Sequence, residues 1–169
     1  LTPQLEYFCK GMAYNVEFHL INPTKAEVVY EDRSVTVSSI PLRHRIPTCG
    51  FLFAEKPTPN HIIRDMIDFY KVPVFELNRI KNGEDYVLPD GTVIPNNRLT
   101  TPPAPPRSYA YCSDTIFHRP IIEQIKGVNL LFHEATFAQC DAQRAKETFH
   151  TTAMQAGEIA RDADVKQLL

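Results

Sequence analysis

Apolar and polar positions alternate along the first third of the chain. In Tyr14-Asn15-Val16-Glu17-Phe18-His19-Leu20 every second residue is apolar, the period of a strand buried on one face. Further strands are expected over Ala26 to Tyr30, Ser34 to Ile40 and Gly50 to Ala54, with turn signals at Asn22-Pro23 and Glu31-Asp32. From Lys56 to Arg107 the texture changes, because most of the chain's 14 prolines fall there. Ile62, Ile63, Met66, Ile67 and Tyr70 keep helical spacing, so a short amphipathic helix is expected. Tyr86 to Ile94 folds back on Asp90-Gly91 as a small hairpin, and Thr100 to Arg107, with four prolines, is an extended connector. The whole stretch is an excursion from the core.

Beyond it strands and helices alternate. A strand over Ser108 to Cys112 runs into the polar Ser113-Asp114-Thr115. A helix around Pro120 to Lys126 with Gly127 as its stop follows, then a buried-type strand over Val128 to Phe132 that ends in His133-Glu134. A polar helix near Asp141 to Thr148 precedes a second one over Ala153 to Ala163, capped by Thr151 or Thr152. Val165 to Leu169 opens a last strand. The division implied is a β-rich part over 1–56, an insertion over 57–106 and an α/β part over 107–169. The chain opens without Met and stops on an apolar strand, so it is expected to be a piece of something longer.

Composition narrows the class. Apolar residues make up 43% of the 169 and charged residues 22%, which suits a globular protein with a buried core. No apolar run reaches membrane-spanning length, and Leu1-Thr2-Pro3-Gln4 has no secretory character. The four cysteines lie far apart, so free thiols in a reducing cytosol are expected. The formal charge of −2 gives the chain as a whole no nucleic-acid signature. Locally the sign reverses: Lys56, Arg64, Lys71, Arg79 and Lys81 stand against Asp65, Asp68 and Glu76, a net of 5 − 3 = +2 over residues 56–82, right for phosphate contact. A solvated face of mixed charge has the same composition.

The candidate chemistry sits at strand ends, where layered α/β folds gather functional groups. Asp114 and His133-Glu134 each follow an expected strand. A carboxylate and an imidazole there could hold zinc or act as an acid–base pair. Each also has a plainer reading. Asp114 could cap a helix, His133 could be a packing histidine, and His150 could lie at a helix start. His44, between Arg43 and Arg45, could be a solvated loop residue. His19 reads as exposed, and His61 and His118 sit at expected helix starts with no role assigned. Residue by residue, this reaches an α/β domain with an incomplete His and Asp cluster.

Taken together, the motifs go further. Pro41-Leu42-Arg43-His44-Arg45-Ile46-Pro47-Thr48-Cys49-Gly50-Phe51 resembles the ribonuclease Z segment that supplies a zinc histidine. Tyr111-Cys112-Ser113-Asp114-Thr115 is similar to the family's strand end with its bridging aspartate. Phe132-His133-Glu134-Ala135-Thr136-Phe137 matches its HEAT motif, and Phe149-His150-Thr151-Thr152 resembles its HST motif with Thr151 replacing serine. Lys81 to Asp85 and Leu88 to Gly91 resemble the flexible arm of the bacterial enzymes.

The resemblance implies part of a metallo-β-lactamase-type αββα sandwich with an inserted flexible arm. It implies a zinc-dependent endoribonuclease that removes 3′ trailers from precursor tRNA, with two zinc ions in the complete enzyme, acting as a cytoplasmic homodimer. His44 and Asp114 would be metal ligands, the latter bridging. His133, Glu134 and His150 would handle the scissile phosphate and proton transfer. Lys56, Arg64, Lys71, Arg79 and Lys81 would meet RNA. Two departures weigh on this chain alone. The HxHxDH motif and the final zinc histidine are absent from it, so it is expected to hold few or no zinc ions and to be inactive alone. The arm reads Lys71-Val72-Pro73-Val74-Phe75-Glu76 where the family often has Gly-Pro. Rival readings are another phosphodiesterase or arylsulfatase-like hydrolase of the same fold, and a non-catalytic RNA-binding or dimerisation fragment.

Overall fold

The computed structural model describes residue 7 and residues 17–169. Its main sheet has five strands in the order β1-β2-β3-β8-β9. β1 (Val28–Glu31), β2 (Val35–Pro41) and β3 (Cys49–Glu55) form an antiparallel meander, with β2 and β3 in register from Val35↔Glu55 to Pro41↔Cys49. β3 pairs antiparallel with β8 (Ser108–Cys112), and β8 pairs parallel with β9 (Leu130–His133). Gly50 lies where β3 crosses closest to β8. A Cβ there would run into the Tyr111 carbonyl oxygen, so any other residue would push the strands apart.

The topology fixes one functional edge. β3 starts where β8 ends, so the loop between β2 and β3, which carries His44, lies beside the carboxyl ends of β8 and β9. Cys112 pairs with His133 at that same end, which places Asp114 and Glu134 just past it.

One face of this sheet is dry. Ile40, Ala110, Cys112 and Leu131 point into a core closed by Ile121, Ile125 and Val128 and by Ile159, Ala160 and Ala163 of helix α5 (Ala153–Asp162). At about 25 cal/mol per Å² of apolar surface, burying such a set dominates the stability of the layer. The start of α5 is held by a capping box, with Thr152 Oγ1 accepting from the Gln155 amide and the Gln155 side chain accepting from the Thr152 amide. The opposite face is aromatic. Phe53 stacks on Tyr109 and Tyr111 on Phe132, and Phe53 and Tyr111 each stay 39% exposed.

The excursion leaves between two adjacent strands and returns. Its base is clipped by the Glu55 amide donating to the Arg107 carbonyl and by the Arg107 guanidinium gripping the Glu55 carboxylate at 2.6 Å. Between these points run β4 (His61–Ile62), α1 (Arg64–Phe69), a 3-10 turn (Val74–Glu76), α2 (Leu77–Lys81), β5 (Tyr86–Val87), β6 (Val93–Ile94), α3 (Asn96–Leu99) and β7 (Thr100–Thr101). More than an excursion, it has a second core of its own: Ile67, Val72, Ile80, Tyr86, Ile94 and Leu99 are buried together.

Some expectations shift. The helix over Pro120 to Lys126 is a 3-10 turn, Arg119–Glu123. Gly127, with φ +69°, already turns the chain toward β9 and leaves no room for a longer helix. The final strand reduces to a single parallel bridge, Leu131↔Leu168, although the Gln167 and Leu169 backbones still bond to Leu131. Of the strand expected over 14–20, residues 14–16 lie outside the described residues, and 17–20 form no strand. The polar helix becomes α4 (Ala142–Thr148).

Candidate functional site

The site grows from four segments that meet at the edge just described. Thr115, fully buried, is where they join. Its hydroxyl accepts from the Arg43 amide at 3.2 Å, its amide donates to Glu134 Oε1 at 3.0 Å, and its carbonyl accepts from Thr151 Oγ1 at 2.6 Å. The Ile116 amide adds a bond back to the Arg43 carbonyl at 2.9 Å. One residue therefore fixes the neighbours of His44, Asp114, Glu134 and His150 relative to one another.

Two residues at this edge sit in the left-handed region. Asp114 has φ +52° and Phe149 φ +63°. An aspartate tolerates that conformation; a phenylalanine does so at a cost of about 1–3 kcal/mol, which the surroundings must hold in place. Phe149 ends α4, and its turn sends its carbonyl to His44 Nδ1 at 3.0 Å while delivering His150 to Glu134. The Thr151 hydroxyl is the tie to Thr115.

Glu134 is the most heavily bonded group. Oε1 accepts from His150 Nδ1 at 2.7 Å as well as from Thr115, and Oε2 accepts from the Thr136 hydroxyl at 2.8 Å, the Thr136 amide and the Thr151 amide. Burial alone would raise its pKa, but the hydrogen bonds from Thr136, His150, Thr151 and Thr115 outweigh it and hold the carboxyl below its usual range. A carboxylate only accepts, so His150 Nδ1 carries a proton and Nε2 is the nitrogen left for chemistry. The His44 and His150 rings lie 5.2 Å apart.

His44 has the same polarity. Its Nδ1 donates to a carbonyl, leaving Nε2 bare, the arrangement metal-bound histidines usually show. Asp114 is exposed, and its side chain makes no hydrogen bond or ion pair among the described residues. These two donors suit zinc in kind. Among the described residues no group of three or more His, Cys, Asp or Glu gathers around one point, and a zinc ion takes three or four protein ligands. The set falls short in number.

His133 is 3% exposed, and its Nδ1 donates to the Glu134 carbonyl at 2.8 Å. Its Nε2 is buried with no partner among the described residues. Burial holds its pKa below the usual value, against a smaller opposing effect of Glu134. A histidine kept neutral in the fold takes up its proton more readily once unfolded. Its contribution to stability is therefore complete above the unfolded pKa of about 6.5 and declines as pH falls from there toward the lowered folded value. Denaturant unfolding of the chain should show a midpoint that drops between pH 7.5 and 5.5. His133→Asn, which keeps a donor at that position and does not titrate, should flatten the drop; an unchanged slope would remove His133 as its source.

The basic residues of the excursion divide. Lys56 is paired with Glu31 at 2.6 Å, Arg64 with Asp68, and Arg79 with Glu76 and Glu84. Lys71 and Lys81 are exposed and make no ion pair among the described residues. His61 falls in β4, and His118 is the N-cap of the 3-10 turn, the helix start expected of it.

Sequence reasoning missed Thr115 and Phe149. The first looked like a generic polar loop residue. The second has no signal at all, since a left-handed phenylalanine depends on its surroundings.

No protein-family model matches the chain. Among curated proteins it is 72% identical over 169 residues to the ribonuclease Z of Phocaeicola vulgatus, covering 100% of this chain and 55% of that protein. It is 66% identical over 168 residues to the ribonuclease Z of Bacteroides thetaiotaomicron, covering 99% of this chain and 53% of that one. The chain thus spans about half the length of the curated relatives it matches. Among solved structures it superposes on human tRNase Z, short form, with a TM-score of 0.50 at 21% identity, over 85% of this chain and 38% of that one. The metallo-β-lactamase fold protein YhfI of Bacillus subtilis gives 0.51 at 14% identity, over 98% and 47%. The fold is therefore α/β of the metallo-β-lactamase type.

Proposed function

Because the chain is a ribonuclease Z-family sequence over its whole length, we propose that it forms part of a zinc-dependent endoribonuclease that cuts 3′ trailers from precursor tRNA. The observation that carries this reading is the Glu134–His150 pair, held at 2.7 Å beside His44 at the same sheet edge as Asp114. The enzyme as a whole acts in the cytoplasm as a homodimer. No helix among the described residues is long and apolar enough to cross a membrane.

Zinc, when bound, activates water and neutralises charge on the phosphodiester. His44 and Asp114 are this chain's contribution to holding it, and the remaining ligands lie elsewhere in the longer protein. His150 gives its Nε2 proton to the 3′ oxygen as the phosphorus–oxygen bond breaks, leaving a 3′ hydroxyl on the tRNA and a 5′ phosphate on the trailer. Glu134 fixes the tautomer and steadies the imidazolium, the role of the carboxylate in other His–carboxylate pairs. His133 supports this pair from beneath through the Glu134 carbonyl.

Residues 57–106 form the arm between core parts 1–56 and 107–169. Lys71 and Lys81 meet RNA phosphates first; Lys56, Arg64 and Arg79 do so by exchanging carboxylate partners that are exposed except for the half-buried Glu76, a small cost for surface pairs. The test is cleavage of precursor tRNA by a full-length ribonuclease Z that carries this stretch, with and without Thr58 to Pro95. Since the excursion has its own core, its removal should spare the main sheet. Affinity for precursor tRNA should fall roughly tenfold or more, the scale of a few lost phosphate contacts. Hydrolysis of bis(p-nitrophenyl) phosphate should fall far less. No cleavage by the intact enzyme would sink the reading, and equal losses on both substrates would make the excursion a support for the core.

A further inference from the structure

Beside His150, between the segment after Asp114 and helix α4, lies a cavity of about 370 Å³. Ile116, Phe117 and Ala142 give it an apolar wall, Gln143, Gln155 and Lys146 a polar rim, and His150 closes one side. Its volume falls in the range of small-ligand sites, roughly 300–1,000 Å³. Lys146 is exposed and makes no ion pair among the described residues. The Gln143 amide donates to Glu147 and the Gln155 amide accepts from Thr152, so each keeps one polar atom in hand. An aromatic wall, a free ammonium and two amides around one small cavity suit a nucleotide unit better than a metabolite acid or an apolar ligand.

We propose that this cavity seats the nucleoside that carries the leaving 3′ oxygen, its base against Phe117 and the phosphate on its 5′ side at Lys146. The inference rests on the function proposed above. The reason is geometric. An acid must come within hydrogen-bond reach of the oxygen it protonates, and that oxygen belongs to the ribose on the tRNA side of the scissile bond. A ribose that meets His150 from the open side brings its base into the space His150 walls. Stacking on an aromatic ring accepts any of the four bases, and the two amides then grade them by edge contacts.

The test uses a full-length ribonuclease Z that carries this stretch, with three precursors: intact, abasic at the nucleotide before the cut, and abasic at the nucleotide after it. The first abasic substrate should lose about tenfold or more in kcat/KM, the worth of one stacked base, and the second far less. Phe117→Leu should lose a similar factor on the intact precursor and add little on the first abasic one, because base and ring act as a pair. Lys146→Met, on an exposed helix position where folding is not at stake, should raise KM for tRNA, lower the salt slope by about one, and cost far less on bis(p-nitrophenyl) phosphate. A loss that follows the base after the cut, or losses that multiply between Phe117→Leu and the abasic site, overturn the assignment. If the intact enzyme cuts no precursor at all, the functional reading itself falls, and the assignment with it.

Discussion

Asp114→Ala, made in a full-length ribonuclease Z that carries this stretch, is expected to lose bound zinc and precursor cleavage together. The carboxylate projects from a strand end at φ +52°, exposed and without a side-chain partner among the described residues. Nothing in the described structure uses it to hold the fold. A carboxylate kept free of partners at a strand end fits a group reserved for a ligand. Without it, water activation and charge neutralisation both fail, so turnover should drop by roughly three orders of magnitude or more. Asp114→Asn separates charge from backbone, because asparagine accepts the left-handed region as readily. It should unfold at the wild-type denaturant midpoint and still lose metal, read by elemental analysis. Zinc retained by both variants would return Asp114 to the role of a turn residue.

How far the sequence shows this site depends on which interaction sets each position. The alternation over 14–20 gives no strand in residues 17–20, whereas the strands β2, β3 and β8 follow from short apolar runs bounded by turn residues, which are local signals. So do α4, α5 and the Thr152 cap, where three residues define the motif. The second core of the excursion is less visible. Its apolar residues come from several short elements between prolines, and no single period links Ile67 with Ile94 and Leu99. The 3-10 turn at Arg119–Glu123 reads as a helix because its apolar spacing is the same over so short a run. At the site, strand ends point to Asp114, His133 and Glu134, and only the motif resemblance adds His44 and His150. Their connection through Thr115 does not appear, because it spans bonds between residues 36 and 72 positions apart. The ion pairs that occupy Lys56, Arg64 and Arg79 are equally hidden, for charge counting sees sign and not partners.

His150→Ala is expected to separate chemistry from metal binding. The imidazole bonds to Glu134 through Nδ1 and makes no hydrogen bond to His44 or Asp114, so zinc content should stay near the unsubstituted level. Folding should also survive. With His150 gone, Glu134 keeps the Thr115 and Thr151 amides and both donors of Thr136, so no buried carboxylate is left unpaired. Turnover of precursor tRNA should fall by roughly two to four orders of magnitude, the usual worth of a positioned acid. The loss should shrink on bis(p-nitrophenyl) phosphate, whose nitrophenolate departs without a proton. Glu134→Gln should reproduce part of the effect by a different route. An amide can donate where the carboxylate only accepted, which permits the tautomer with its proton on Nε2 in the neutral ring and removes the charge that steadies the imidazolium. Zinc lost along with activity in His150→Ala would make the residue a ligand. Equal losses on the natural and the activated substrate would mean that it orients the phosphate and donates no proton.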